Sequence, residues 1–309
     1  MNVRSLSLLK AFTIAVLLSL CASNAFADGF NIGSASNYGL LFQGGGGNTL
    51  QITNVTVNGN VGVGNTGQAT DSGPSTINGR IDFSAPNTGQ FSNNNAGNVI
   101  TGGVHYSVGD VTSGLNTVNS LSQTLLGLAG TSVSINGNTT VNASAGAVFI
   151  VNGQTVHVFD ASAFTNGGGQ TLTINGTSSD LVAINLDGLG NIQFHGGIIF
   201  TGGIGGDSVL FNIGGGNYST LTGASSLDIN NNGGTAGIAQ GIFLDPNGAI
   251  SVVNATVQGR VFGGDSHDFQ YVSGATLTAP SSVPEPGSIM LLGSGLSGIG
   301  LLLRRRRQQ

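Results

Sequence analysis

Lysine is nearly absent, and so is positive charge of any kind away from the two ends. Lys10 is the one lysine, and Arg80 and Arg260 are the only cations between Lys10 and Arg304. Twelve aspartates and the single glutamate, Glu285, fall in that same stretch. The body is therefore more acidic than the formal net charge of -5 implies. Such a surface repels phosphate backbones and disfavours nucleic acid as a partner. It is compatible with divalent cations or neutral glycans. Tryptophan is missing, and the one cysteine, Cys21, lies near the N-terminus, which excludes a disulfide scaffold. Leu20 is too large for the position before a lipidated cysteine, so lipoprotein processing at Cys21 is disfavoured too. Charged residues make up 7% of the chain, against roughly 25% in ordinary globular proteins. That is too little for a disordered polyampholyte, and abundant Val, Ile, Leu and Phe argue against disorder as well.

What the chain has is glycine, 54 of 309 residues, with asparagine, serine and threonine between short β-branched runs. This texture points to an all-β protein with many tight turns. A tetrapeptide recurs as Thr56-Val57-Asn58-Gly59, Thr76-Ile77-Asn78-Gly79, Ser134-Ile135-Asn136-Gly137 and Thr173-Ile174-Asn175-Gly176, with Val151-Asn152-Gly153 a close relative. Asn-Gly favours turns because both residues tolerate positive φ. A hairpin meander and a β-solenoid both use that signal. Several gaps of roughly 16 to 23 residues favour the solenoid, a right-handed parallel β-helix with Val, Ile and Leu stacked inward. Asparagine at the corners is expected to form side-chain ladders. One segment breaks the pattern. Leu115, Val118, Leu121, Leu125 and Leu128 follow three- and four-residue steps, with Asn116, Thr117, Asn119, Ser120 and Gln123 between them. This predicts an amphipathic helix over 112–128, capped by Ser113, ended by Gly127 or Gly130, and lying along one flank.

The two ends read as export signals. Arg4 and Lys10, an apolar core over 11–20 and the small residues Ala25 and Ala27 around Phe26 predict a signal peptide over 1–27. Signal peptidase would then leave Asp28 at the mature start. The domain is expected over 28–272, followed by a small, polar linker over 273–283. The tail carries Val283, Pro284, Glu285 and Pro286, a 17-residue apolar run over 287–303, and Arg304, Arg305, Arg306 and Arg307. The run predicts a transmembrane helix of about 25 Å, short for a hydrocarbon core of about 30 Å. The arginines would stay cytoplasmic and leave the Pro-Glu-Pro motif at the outer face. A temporary handle fits this better than a permanent anchor.

The tail, 284–309, resembles a PEP-CTERM sorting signal. That resemblance implies an exported protein of a Gram-negative, often polysaccharide-producing bacterium, processed at the inner membrane by an exosortase. The body resembles the extracellular choice-of-anchor A family. The matching pieces are Asn37-Tyr38-Gly39-Leu40-Leu41, Val57 to Gly64, Val209-Leu210-Phe211-Asn212, Gly241 to Ala249, and Val257 to Gly264 running into Asp265-Ser266-His267-Asp268-Phe269. It departs from that pattern at Asp245 and at Asp265-Ser266-His267. The order of elements is also similar to bacterial ice-binding adhesin domains, which implies a β-helix with one helix alongside.

Candidate chemistry is sparse. Asp265, His267 and Asp268, near Arg260, form the one ionisable cluster, fit for a metal or for acid–base work. The competing reading is that they close the final coil. Gly202 to Leu210, with Asp207, fits one calcium-binding nonapeptide, but that mechanism needs consecutive copies. His105, His157 and His195 lie in separate segments. A polysaccharide lyase needs clustered acids beside a cation, which the chain lacks. Ice binding needs threonines repeating at one place in every coil, and Thr171 with Thr173, or Thr139 with Thr140, are local pairs. The expectation is a structural or adhesive matrix or biofilm protein without cofactor or enzymatic activity, in contact with extracellular polysaccharide. The alternatives are a calcium- or glycan-dependent enzyme acting on polysaccharide, and an ice-binding protein.

Overall fold

The computed structural model describes residues 29–214, 226–230, 237–246, 248–264 and 268–280. All lie in one compact unit, Asp28–Ser281. The expected signal peptide over 1–27, the sorting tail with its expected membrane span over 287–303, and Asp265 and His267 lie outside the described residues. Among the described residues no helix is long and apolar enough to cross a membrane.

The chain runs β1 (Tyr38–Phe42), β2 (Thr49–Thr53), β3 (Thr56–Asn58), β4 (Asn60–Val63), β5 (Gln68–Asp71), β6 (Thr76–Asn78), β7 (Ile81–Phe83), β8 (Phe91–Asn93), β9 (Val99–Ile100) and β10 (Val104–His105). The helix α1 (Gly109–Leu126) follows. Next come β11 (Thr131–Asn136), β12 (Thr139–Asn142), β13 (Ala147–Val151), β14 (Gln154–Thr165), β15 (Thr171–Asn175), β16 (Leu181–Asn185), β17 (Asn191–Phe194), β18 (Gly197–Thr201) and β19 (Val209–Asn212). The last strands are β20 (Ser226–Asn230), β21 (Ile238–Asp245), β22 (Ala249–Val253), β23 (Thr256–Gly263), β24 (Phe269–Val272) and β25 (Thr276–Thr278).

These strands stack as a parallel solenoid with three faces. The first face has the order β10-β7-β4-β1-β23-β21-β19-β16-β14-β11, and the second β17-β20-β22-β24-β2-β5-β8. The third runs β9-β6-β3-β25-β23 and on to the start of β21. The ladder β12-β15-β18 lies beside β21, where the Gln240 amide donates to the Ile198 carbonyl at 2.9 Å. Strands β21 and β23 serve two faces by bending at Gly241 and Gly259, whose φ values are 127° and 150°. A Cβ at Gly259 would strike the Gly241 carbonyl, so the stacked corner admits only glycine. Of the Asn-Gly signals, Asn152-Gly153 alone makes a hairpin. Its φ values of 49° and 78° join the antiparallel pair β13 and β14.

Rung order is not sequence order. The chain winds from β1 to β10 in one direction, then restarts with β11 at the opposite end. It winds back until the last coil, β23-β24-β25, docks on the first, β1-β2-β3. Nine rung spacings of about 4.8 Å separate β10 from β11, about 43 Å. The 18 residues of α1 cover about 27 Å of this, and the seven residues flanking the helix span the rest.

Packing explains why first-face strands read as continuous apolar runs. Every residue of β1, β16 and β19 is buried. One side faces the solenoid interior. The other side, with Leu41, Leu210, Leu244 and Phe262, meets Val111, Leu115, Val118, Leu121 and Leu125 of α1. Second-face strands have one wet side, and β2, β20 and β22 alternate buried with half-buried residues. Inside, Phe211 stacks on Phe243 at 5.3 Å, and Phe194 meets both edge-on.

Three sequence expectations need correction. Helix α1 starts at Gly109 rather than 112. Val108 precedes it without a side-chain cap, and Asp110 in the first turn favours the positive helix end. Ser113 is inside the helix, where its carbonyl accepts from Thr117. Asn119, placed on the polar side by periodicity, is buried, and so is Ser122. Asn119 donates to the Gln43 side chain at 3.0 Å, and Ser122 donates to Asn212 at 2.6 Å. A polar seam thus docks the helix, where the leucine spacing alone predicted an apolar one. Finally, the solenoid does not end at 272. Thr276–Thr278 pairs with β23 and β3, and Leu277 is fully buried, so the first part of the expected linker is a rung of the fold.

Candidate functional site

The third face carries two rows of outward side chains in register. The first row is Ile238, Thr256, Thr276, Thr56, Thr76 and Val99. The second is Gln240, Gln258, Thr278, Asn58 and Asn78. Between them Ala239, Val257, Leu277, Val57 and Ile77 point inward and are buried. The strand alternation that buries the middle residue of each Thr-x-Asn or Thr-x-Thr therefore presents both flanking residues. Rungs stand about 4.8 Å apart, and the rows about 6.6 Å. No member of either row is charged. The second row is held by its own hydrogen bonds. Asn78 donates to Asn58 at 2.8 Å, and Asn58 donates to Thr278 at 3.5 Å.

A second uncharged ladder lies on β12-β15-β18. Thr140, Thr173 and Ile199 are in register, as are Asn142, Asn175 and Thr201. Asn175 donates to Asn142, and Thr201 to Asn175, both at 3.0 Å. The expected asparagine ladders are therefore present. Thr140 and Thr173 are cross-strand partners rather than members of separate local pairs, while the Thr139 hydroxyl is turned into a contact with Asn136.

The second face is polar but less uniform. Its central outward row is Gln193, Asp228, Ser251, Gln270, Gln51, Thr70 and Ser92. Asp228 meets His195 at 2.9 Å, a pair whose members are 33 residues apart and which sequence reading missed. His157 lies 3.5 Å from Asp180, whose carboxyl is held below the usual range mainly by the Thr177 N–H, with the Thr177 hydroxyl and His157 adding to it. His105 contacts the Gly102 carbonyl.

Of the ionisable cluster expected near Arg260, Asp265 and His267 lie outside the described residues, and Asp268 and Arg260 are described. Arg260 is 2% exposed and pairs with Asp207, at 3.1 Å and 3.4 Å. The carboxylate of the single nonapeptide match, Asp207, is thus engaged by a guanidinium. Asp268 accepts from the Thr49 N–H at 2.9 Å, which fits the closing of the final coil. Among the described residues no three His, Cys, Asp or Glu side chains group as a metal site.

Residues 282–307 match the PEP-CTERM protein-sorting motif. No curated protein matches the chain. Solved structures that share the fold include two ice-binding proteins. One is the ice-binding protein of the Antarctic ascomycete Antarctomyces psychrotrophicus, at TM-score 0.50 and 16% identity, covering 82% of this chain and 100% of that one. The other is an ice-binding protein from an Antarctic biological consortium, at TM-score 0.52 and 14% identity, covering 81% and 91%. At such identities the likeness is one of architecture.

Proposed function

We propose that this exosortase substrate is a non-enzymatic surface or matrix protein that adheres to a repetitive, uncharged partner through its third face. One observation carries this reading: four threonines and their asparagine, glutamine and threonine neighbours form one register lattice without charge. A periodic grid suits a periodic partner. Extracellular polysaccharide fits an exported protein, and its neutral hydroxyls match donors and acceptors that carry no charge. The route to that place runs through signal peptidase, the inner membrane and an exosortase-type enzyme. The choice-of-anchor A resemblance supports the extracellular setting.

A second reading is ice binding. The threonine row favours it, and so does a fold shared with ice-binding proteins. The two separate in one pair of measurements on the chain released by processing. Cosedimentation with neutral exopolysaccharide, abolished at least tenfold by Thr276→Lys, supports adhesion. Thermal hysteresis lost in the same variant supports ice binding instead. Polysaccharide binding that is unchanged in Thr276→Lys would remove the third face from the account.

A further inference from the structure

Six Asn-Gly steps lie among the described residues, at Asn58, Asn78, Asn136, Asn152, Asn166 and Asn175. This dipeptide carries its own chemistry. The backbone nitrogen of the glycine can attack the asparagine Cγ, because glycine has no side chain to block the approach. The attack needs a carboxamide free to swing along the chain and a glycine nitrogen not tied into a hydrogen bond. Five of the six sites lack that freedom. The Asn78 carboxamide donates to Asn58 and that of Asn58 to Thr278, while the Gly59 N–H donates to the Asn78 carbonyl at 3.3 Å. Asn175 is held between Asn142 and Thr201, and the Gly176 N–H donates to the Thr201 carbonyl at 3.0 Å. Asn136 donates to the Ser134 hydroxyl at 2.7 Å, and the Gly137 N–H to the Thr165 carbonyl at 3.0 Å. Asn166 is buried, and the Gly167 N–H donates to Gln170 at 2.6 Å.

Asn152 differs in each respect. It stands with Gly153 at the exposed tip of the β13–β14 hairpin. Among the described residues nothing accepts a hydrogen bond from its carboxamide or from the Gly153 N–H. No atom lies within 4 Å of the place a Cβ would take at Gly153. We propose that Asn152 is a self-modification site, which converts to aspartate and isoaspartate while the laddered asparagines stay intact. The Gly153 nitrogen bonds to Asn152 Cγ and gives up its proton. The Cγ–Nδ2 bond breaks, and Nδ2 leaves with that proton as ammonia. Water then opens the five-membered imide at one of its two carbonyls. One opening gives aspartate on an ordinary backbone. The other routes the backbone through Cβ and lengthens the loop by a methylene. Either product puts a carboxylate into residues 143–156, which carry no charge. Next to the site, Gln154 accepts from the Asn31 N–H at 2.7 Å and donates to the Gly29 carbonyl at 2.9 Å. The lengthened loop displaces Gln154 and weakens its hold on the first described residues.

The test incubates the full chain at pH 8 and 37 °C and maps its peptides by mass spectrometry after chymotrypsin, since trypsin finds only Arg80 and Arg260 in the body. The mass change from carboxamide to carboxyl marks each converted site, and isoaspartyl methyltransferase labels the isoaspartate. A parallel sample in urea gives the rates without the fold. There the six sites are expected to convert within about threefold of one another. In the folded chain Asn152 is expected to convert at least tenfold faster than any of the other five, and faster at pH 8 than at pH 6, because the attacking nitrogen must lose its proton. Equal rates at all six sites in the folded chain overturn the proposal. So does a laddered asparagine that converts before Asn152. Hydrogen exchange at the Asn31 amide should quicken several-fold in the converted chain, and unchanged exchange there overturns the consequence drawn for Gln154.

Discussion

The two stacks of coils are built alike but spaced differently. In the first stack, β1 to β10, the ladder partners Asn58 and Asn78 lie 20 residues apart. In the second, β11 to β25, ladder partners lie 33 residues apart at Asn142 and Asn175, and 26 at Asn175 and Thr201. At the junction the separation is 220, between Asn58 and Thr278. The same rung geometry thus tolerates any loop length, because only the strands must stack. A sequence period reports the first stack well, the second poorly and the junction not at all. Closing that junction costs loop entropy, which grows only slowly with length, so a distant partner is thermodynamically affordable once its contacts are good.

The strongest way to break the comparison is at Arg260. Removing the guanidinium leaves the Asp207 carboxylate and the carbonyls of Ser36, Tyr38 and Pro280 without it, in a corner where Arg260 itself is 2% exposed and Asp207 23%. Arg260→Ala is expected to destabilise the fold by about 3 kcal/mol. Arg260→Lys recovers little, since an ammonium cannot fork to five acceptors. Denaturant melts of both variants measure this. Arg80 is half-exposed but bonds the fully buried Asp82 within the first stack. Asp82 keeps the Tyr38 hydroxyl when the guanidinium goes, so Arg80→Ala should cost less, about 2 kcal/mol. Equal losses at the two arginines would erase the distinction between junction and stack.

A smaller effect is expected at the seam that holds α1. Asn212 is fully buried, donates to the Ser122 carbonyl and to Asn185, and accepts from the Ser122 hydroxyl. Asn212→Ala should cost about 2 kcal/mol, since it strands the buried groups of two partners. Because α1 spans both stacks, that loss should appear as one cooperative transition. Two separated transitions would show that the stacks melt independently.

A pH measurement sharpens the difference inside the first stack. Asp71 points into the interior of β5 and is fully buried. Burial raises its pKa above the ordinary 3.8, with Ser75 and Gly73 opposing in part. The folded state therefore holds this proton more tightly than the unfolded state. Its contribution is fully present below the unfolded value and is lost as pH rises through the folded one. Asp71→Asn should raise the melting temperature at pH 7 and leave it near wild type at pH 3. An equal shift at both values would assign the effect to shape rather than charge.

What was legible in the sequence followed from local periodicity. Continuous runs such as Tyr38-Gly39-Leu40-Leu41-Phe42 report two-sided burial directly, and alternating ones such as Thr49-Leu50-Gln51-Ile52-Thr53 report one-sided burial. The helix and the asparagine ladders were legible for the same reason. The order of rungs was not, because nothing local marks β25 as a neighbour of β3. The buried Asn119 and Ser122 were hidden by their polarity, and the Arg260–Asp207 and His195–Asp228 pairs by separations of 53 and 33 residues. The threonine row escaped notice for the junction's reason. Thr56 and Thr76 belong to one repeat, and Thr276 and Thr256 come from the far end of the chain.

That row gives the smallest effect on stability and the sharpest use of the comparison. Thr56→Val and Thr276→Val replace half-buried side chains by near-isosteres on a β-sheet surface, and each should change stability by less than 0.5 kcal/mol. Their effects on binding should match each other, because the two residues are adjacent rungs of one lattice despite lying in different stacks. Cosedimentation and thermal hysteresis of both variants make the check. If Thr56→Val weakens binding while Thr276→Val does not, the working surface stops at the junction and the first stack acts alone.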